Sequence, residues 1–318
     1  MVYFLVALAA VSFLMWFVVT QPFIDPKSQD RVADVSSANL RRHVYMLSEQ
    51  LPPRAPEPTA LDITAAYIRD QFARYSDAVR DQEFQVEGET FRNVIASFGP
   101  AMGPRMVVGA HYDTAGGLPG ADDNASGVAG LIELSRVLGR NPPLTAVDLI
   151  AFTLEELPFF RTRKMGSAVH AEALRANDVE VKLMLSLEMI GYFDDRPDSQ
   201  SYPMPLLRLF YPSSGNFIAV VGNLSQLLAV RKTKRIMRGA VTLPVYSLNG
   251  PSFIPGVDFS DHVNYWQQGF PAVMITDTAF YRNDAYHSAR DTADRLDYDR
   301  MVQVVQGILA VIHEFPKD

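Results

Sequence analysis

Residues 2–19 are apolar apart from Ser12, close to the roughly 20 residues a helix needs to cross a hydrocarbon core. No basic residue precedes the run, and Val18-Val19-Thr20-Gln21 is a poor small-x-small cleavage site. The pattern predicts an uncleaved N-terminal membrane anchor over residues 1–21 rather than a removed signal sequence. Residues 22–36 are polar, carry Pro22 and Pro26 and lack periodicity, so they read as a linker. Lys27 and Arg31 are mixed with Asp25 and Asp30 and give the positive-inside rule little to count. A folded domain outside the cytoplasm is the orientation we expect.

From residue 37 the pattern changes to that of a packed domain, which we place at 37–318. Helical periodicity covers 37–51 and 59–75, with Pro52-Pro53 and Pro56 between them. Short β-branched and aromatic runs then alternate with helical segments. Strands are predicted at 93–98, 106–110, 146–152, 182–187, 217–221 and 272–276, and helices at 127–138, 166–175, 224–237, 260–268 and 297–314. That alternation predicts one α/β domain with a mostly parallel sheet and helices on both faces. Residues 202–215 and 242–256 are rich in Pro, Ser and Gly. They read as long loops, candidates for the walls of a pocket.

Composition adds exclusions. With 48% hydrophobic and 20% charged residues in 318, the chain can build a sizeable core. A net charge of -7 argues against nucleic acid, which requires clustered cations. The one basic run, Arg231-Lys232-Thr233-Lys234-Arg235, reads as the solvated face of a helix. The absence of cysteine removes disulfides, thiolate ligands and a cysteine nucleophile.

Candidate chemistry gathers at strand ends, where open α/β sheets bind ligands. His111 follows one predicted strand, Glu155 and Glu156 the next, Glu188 closes a third, and His287 lies in the loop after a fourth. Asp123 sits in the glycine-bounded stretch Gly120-Ala121-Asp122-Asp123-Asn124-Ala125-Ser126-Gly127. Imidazole with carboxylate is a donor set that zinc prefers. Asp123 can offer one oxygen to each of two ions; His111 and Glu188 then complete one, Glu156 and His287 the other. Glu155 stays free to act as a base on water shared by ions about 3.5–4 Å apart. Asp113 is placed to accept the second N–H of His111, or to cap a turn. Asp291 either orients His287 or caps the last helix.

In order and spacing, His111-x-Asp113, Gly120 to Gly127, Glu155-Glu156, Glu188-Met189-Ile190-Gly191, Ser260-Asp261-His262 and Tyr286-His287-x3-Asp291-Thr292 resemble the co-catalytic di-zinc aminopeptidase and glutamate carboxypeptidase family, of which glutaminyl cyclase is a distant relative. The resemblance runs from about residue 37 to the C-terminus. It implies a three-layer α/β/α sandwich, two zinc ions or another divalent metal bridged by Asp123, Glu155 as general base, and a cis peptide bond after Asp123. It further implies an exopeptidase on peptide substrates, an aminopeptidase first. A one-zinc glutaminyl-cyclase-like transferase and a non-catalytic scaffold are the rivals, and both are disfavoured by the complete ligand set.

Three departures from the family stand out. Leu157 to Met165 makes a detour before Gly166-Ser167; Glu188 stands where several relatives have Asp; and Val257-Asp258 replaces a tyrosine before Ser260-Asp261-His262. We take Tyr286 as the substitute oxyanion donor. Arg282 is a candidate for binding a substrate carboxylate, with an ordinary surface arginine as the alternative. His43, His170 and His313 lack ligand spacing and receive no role; His262 is read as structural, beside a helix capped by Ser260. The sequon Asn124-Ala125-Ser126 lies inside the proposed site and is discounted.

Overall fold

The computed structural model describes residues 3, 10, 13, 16–26 and 34–317. The core is an eight-stranded mixed sheet in the order β1-β2-β4-β3-β5-β8-β6-β7. Its strands are Val79–Val86 (β1), Glu89–Phe98 (β2), Arg105–His111 (β3), Ala146–Phe152 (β4), Val181–Glu188 (β5), Ile218–Gly222 (β6), Val245–Asn249 (β7) and Ala272–Thr276 (β8). Strands β4, β3, β5 and β8 run parallel, as do β6 and β7; β1, β2 and the β6–β8 pairing are antiparallel.

The helices are Ser37–Tyr45 (α1), Pro58–Ala73 (α2), Gly127–Arg140 (α3), Gly166–Ala176 (α4), Leu227–Ala240 (α5), His262–Gln267 (α6) and Tyr298–Glu314 (α7). Side chains alternate across a strand, so Val94, Ala96, Met106 and Val108 bury against one layer of helices (α1, α2, α3, α5, α7). Ile95, Val107, Ile150 and Phe152 bury against the other, built by α4 and α6. This is the expected sandwich. Over β6, β7 and β8 the inward residues Phe217, Ala219, Val221, Tyr246, Leu248 and Met274 form a separate cluster, packed by Ile254 and Val257 from a loop and by Trp266 of α6.

Two strands escape the hydrophobic pattern. β1 reads Val-Arg-Asp-Gln-Glu-Phe-Gln-Val with only Val86 buried, the mark of a charged edge strand. β7 lies inside the stretch expected to be loop, alternating buried and half-buried positions. The expected helix over 37–51 ends early, continuing as a wider turn at Met46–Gln50.

Among the described residues no helix is long and apolar enough to cross a membrane. Much of the 2–19 run lies outside the described residues, so the expected anchor finds no support here. Its described end, Trp16 to Thr20, is helical and packs on the domain. Lys234, expected on a solvated helix face, is 3% exposed: its Nζ donates to the carbonyls of Thr20 (2.9 Å) and Gln21 (3.2 Å) and to Ser247 Oγ (3.2 Å). The Gln21 amide donates to Asn249 Oδ1 (2.6 Å) and the Leu227 carbonyl (3.0 Å). Arg231 and Arg235 donate to the carbonyls of Phe23 and Asp25.

The histidines given no role have local partners. His43 Nδ1 meets the Tyr67 hydroxyl at 2.6 Å, and His170 Nδ1 meets that of Tyr265 at 2.7 Å. Burial lowers His170 from 6.5 to about 4, Asp148 opposing and Arg80 and Arg105 adding to the shift. The unfolded ring takes up a proton that the folded ring refuses, so this residue's contribution is lost as pH falls from 6.5 towards about 4. His170→Gln removes that penalty. The Tm gap between wild type and His170→Gln is therefore expected to narrow between about pH 7 and about pH 4.5 by calorimetry; a widening gap would contradict the assignment.

Candidate metal centre

The strand ends converge as expected. His111 closes β3, Glu155 and Glu156 follow β4, Glu188 closes β5, and His287 comes from the loop after β8. Asp123 stands between two trios: His111, Asp123 and Glu188 bring ligand atoms within 4.8 Å of one another, and so do Asp123, Glu156 and His287. His111 Nε2 lies 3.4 Å from Asp123 Oδ1 and 3.5 Å from Glu188 Oε2. His287 Nε2 lies 3.1 Å from Asp123 Oδ2 and 3.2 Å from Glu156 Oε1. Each carboxylate oxygen of Asp123 therefore serves a different trio. Glu155 reaches within 4.0 Å of His111 Nε2.

Local backbone makes these approaches. The Asp123-Asn124 peptide bond is cis. Leu154, Met189 and His287, beside or within the ligand set, all have positive φ (60°, 52° and 51°), a region that non-glycine residues occupy mainly where surroundings enforce it. Gly120 has φ 55°, and a Cβ there would meet the Asp123 carbonyl at 2.1 Å.

Supporting groups differ in detail from expectation. The Asp113 carboxylate accepts the backbone N–H groups of Glu155 (3.1 Å) and Glu156 (3.0 Å), whereas His111 Nδ1 lies 3.2 Å from the Asp113 carbonyl and 3.7 Å from its carboxylate. Asp113 thus holds the glutamate loop first and the imidazole second. Asp291 neither orients His287 nor caps the last helix, which Asp297 caps. It accepts from the N–H groups of Asp122 and Asp123 at 3.1–3.2 Å. Ser260, expected as a helix cap, donates to Glu188 Oε2 at 2.7 Å and contacts Ser186 Oγ at 2.8 Å. His262 is structural: its Nε2 meets the Val257 carbonyl at 2.9 Å and its ring stands edge-on to Trp266.

Arg282 is a correction. It is 7% exposed, and its guanidinium lies 4.5 Å over the Phe217 ring while Nε and Nη1 donate to Gln200 Oε1 and to the Tyr192 and Phe217 carbonyls. It braces loops behind the pocket, with Nη2 buried and without a hydrogen-bond partner. Tyr286 stacks on His287 with ring centroids 3.8 Å apart and borders the ligand cleft. Burial and the carboxylates of Asp123, Glu156, Glu188 and Glu155 hold its hydroxyl above its ordinary value, so it keeps its proton.

Arg54 was not legible in the sequence. Wholly buried, it comes from the proline-rich turn before α2 and donates to the carbonyls of Tyr112 (3.2 Å), Pro119 (2.7 Å) and Gly120 (2.5 Å). Burial lowers it to about 10 against the pull of Asp123, Asp291, Asp113 and Glu156. It ties together the two segments that present His111 and Asp123. Arg54→Met is expected to weaken zinc retention roughly 10–100-fold, the usual cost of losing a group that orients ligands, as read by titration against a competing chelator. Retention equal to wild type would remove Arg54 from this role.

The electrostatics call for cations. Burial alone would lower His111, yet Glu188, Glu155, Asp113 and Asp123 raise it well above its ordinary value. His287, lowered by burial, is raised by Asp123 and Glu156 to about 10. In the other direction burial pushes Asp123 up, and the two imidazoles pull it below the ordinary carboxylate range. Glu155 is pushed well up by burial, by Glu188 and Glu156 and by the buried Asp261, against the pull of His111. Buried carboxylates are thus holding protons on histidines where a metal would supply the charge. His111 Nε2 and Asp123 Oδ1 are buried without a hydrogen-bond partner. Nitrogen and oxygen donors of this kind fit zinc.

An apolar cleft adjoins the candidate ligands, sharing Glu188, Phe259 and Tyr286 with their cleft. Its floor is the sheet face of β6, β7 and β8 beyond the reach of α6: Ala219, Val221, Tyr246, Leu248 and Met274. Its walls include Tyr202, Leu207 and Tyr211 from one expected loop and Pro255 and Gly256 from the end of the other.

Comparison with known proteins identifies relatives of this chain. The chain is 48% identical over 87% of its length to the uncharacterized protein YfbL of Escherichia coli, covering 88% of that protein. It is 25% identical over 89% of its length to a probable leucine aminopeptidase of Trichophyton verrucosum, covering 74% of it. Among solved structures it matches the zinc aminopeptidase BSAP of Bacillus subtilis (TM-score 0.69, 14% identity, 89% of this chain and 95% of that one). It also matches a glutaminyl cyclase of Bacteroides thetaiotaomicron (TM-score 0.67, 17% identity, 89% and 99%); both likenesses are of fold. The family model described as Peptidase family M28 matches residues 93–312, which contain every proposed ligand, and the chain belongs to that family.

Proposed function

We propose that this protein is a zinc-dependent aminopeptidase that uses two ions and removes bulky apolar residues from peptide N-termini. The observation that carries the reading is Asp123, whose two oxygens face two separate histidine–carboxylate trios. The leucine and zinc aminopeptidases among its relatives support the class of reaction. Ions held by His111, Asp123 and Glu188 and by Asp123, Glu156 and His287 would supply Lewis acidity, polarising a carbonyl and acidifying water.

The chain's own groups do the rest. Glu155, belonging to neither trio, accepts the proton of the attacking water and passes it to the leaving amine. Tyr286, kept protonated, donates to the oxygen on which charge develops. The apolar cleft beside Glu188 and Tyr286 takes the side chain of the first residue; aromatic and aliphatic lining without a facing arginine selects a large neutral group. For the N-terminal segment we retain the anchor, with the catalytic domain outside the cytoplasm; the apolar composition of residues 2–19 supports it.

The test is digestion of a mixed peptide library by the full chain, with and without a chelator, followed by mass spectrometry. Loss of N-terminal Leu, Phe or Tyr, abolished by chelation and restored by zinc, is the expected result. Carboxy-terminal trimming, or no trimming in zinc, would refute the reading. Filling the floor with Ala219→Trp should lower kcat/KM for N-terminal Phe by at least about 10-fold and spare N-terminal Ala, because each lost apolar contact group is worth about 1–3 kcal/mol.

A further inference from the structure

Among the described residues, one group of exposed apolar side chains lies beside the end of the N-terminal run. The turn Pro205–Leu209 directs one residue inward, Leu207, which lines the apolar cleft. Around it Met204, Leu206, Leu209 and Phe210 stand in solvent, 43%, 57%, 74% and 41% exposed. Grouped exposed apolar residues of this kind mark an interaction surface. Trp16 packs on this turn, its ring 6.4 Å from Phe210, and the same Trp16 meets Phe13 (5.5 Å) and Phe23 (5.8 Å). The turn is therefore continuous with the segment in which the apolar N-terminal run ends.

That segment is not a loose tether. Lys234 grips the last helical carbonyl at Thr20 and the next at Gln21, and Gln21 is bonded to Asn249 and Leu227. The described end of the apolar run is thus held beside the apolar turn, and a medium that takes up the run also meets the turn. Cations border the patch: Arg208 on the turn itself and Arg235 and Arg238 on α5, all exposed. Aromatic and aliphatic side chains flanked by arginines suit the boundary between lipid tails and headgroups.

We propose that residues 204–210, with Phe13, Trp16 and Phe23, form a membrane-contacting face whose partner is a lipid bilayer. The proposal rests on the reading of residues 2–19 as a membrane segment. In it, the bilayer contacts the outer side of the turn whose inner side walls the substrate cleft. Tyr211 and Tyr246 line both that cleft and the groove holding Trp16 and Thr20, so the membrane-side contacts and the pocket share a wall.

The chain has no cysteine, so single labels can be introduced cleanly. Leu206→Cys, Leu209→Cys, Phe13→Cys and, as control, the 89% exposed Leu144 before β4 as Leu144→Cys would each carry a nitrobenzoxadiazole fluorophore. Each labelled full chain would be reconstituted into phosphatidylcholine–phosphatidylglycerol vesicles with and without spin-labelled acyl chains. Labels at 206, 209 and 13 should lose about half their emission to the spin labels while that at 144 keeps its own, as expected for groups at the acyl boundary. Quenching at 13 without quenching at 206 and 209 would overturn the membrane face and leave the anchor standing. No quenching at any position would overturn both. Blue-shifted but unquenched emission at 206 and 209 would show a protein, or a second copy, covering the patch, and would also overturn the proposal.

Discussion

Replacing Glu155 by glutamine should lower kcat by at least about 10²-fold, the usual contribution of a general base, and leave metal content unchanged. The structure explains why the two effects separate. Glu155 approaches His111 Nε2 only to 4.0 Å and belongs to neither trio of ligand atoms. Its backbone N–H, like that of Glu156, is held by Asp113, and glutamine keeps that bond. What the amide loses is the ability to take a proton. Elemental analysis beside steady-state kinetics checks the expectation, and turnover near wild type would dismiss Glu155 as the base.

Asp123→Ala should lose both metals, and Asp122→Ala should keep them. The neighbours differ in direction. Asp123 faces His111 and His287 with one oxygen each. Asp122 is turned the other way, accepting from the Gly191 N–H at 3.0 Å and Asn283 Nδ2 at 3.1 Å. Burial, with Asp277 and Asp291 close by, pushes Asp122 well above the ordinary carboxylate range, and both its oxygens are engaged away from the two trios. Its loss leaves buried donors unpaired, a cost of about 1–3 kcal/mol in stability. Metal analysis with thermal melts distinguishes the two variants; metal loss in Asp122→Ala with retention in Asp123→Ala would reverse the assignment.

The candidate ligand residues were legible because the fold gathers chemistry at strand ends, and strands such as Ala146–Phe152, buried on both faces, announce themselves as apolar runs. Asp123 was legible through its glycines. What escaped was direction and depth. Arg282 has the composition of a substrate ligand, and only the packing of Phe217 and Gln200 reveals that it turns inward. Arg54 lies among prolines with no periodic pattern, and its burial depends on loops 58 to 66 residues later in sequence. β7 was masked by proline and glycine on either side, and β1 by its charges. The stretch of sheet beyond the reach of α6 could not be read locally, since a strand face packed on loops and one packed on a helix carry the same alternation.

The grip of Lys234 on Thr20 and Gln21 decides how the enzyme can be released from its N-terminal run. A protease cutting between Gln21 and Ser37 would spare every residue of the candidate metal centre. It would also strip a buried ammonium of two of its three oxygen partners and free the Gln21 amide from Asn249. A cut at that point would leave the candidate metal ligands intact and the pocket wall loosened, whereas a cut ahead of Trp16 would leave the wall supported.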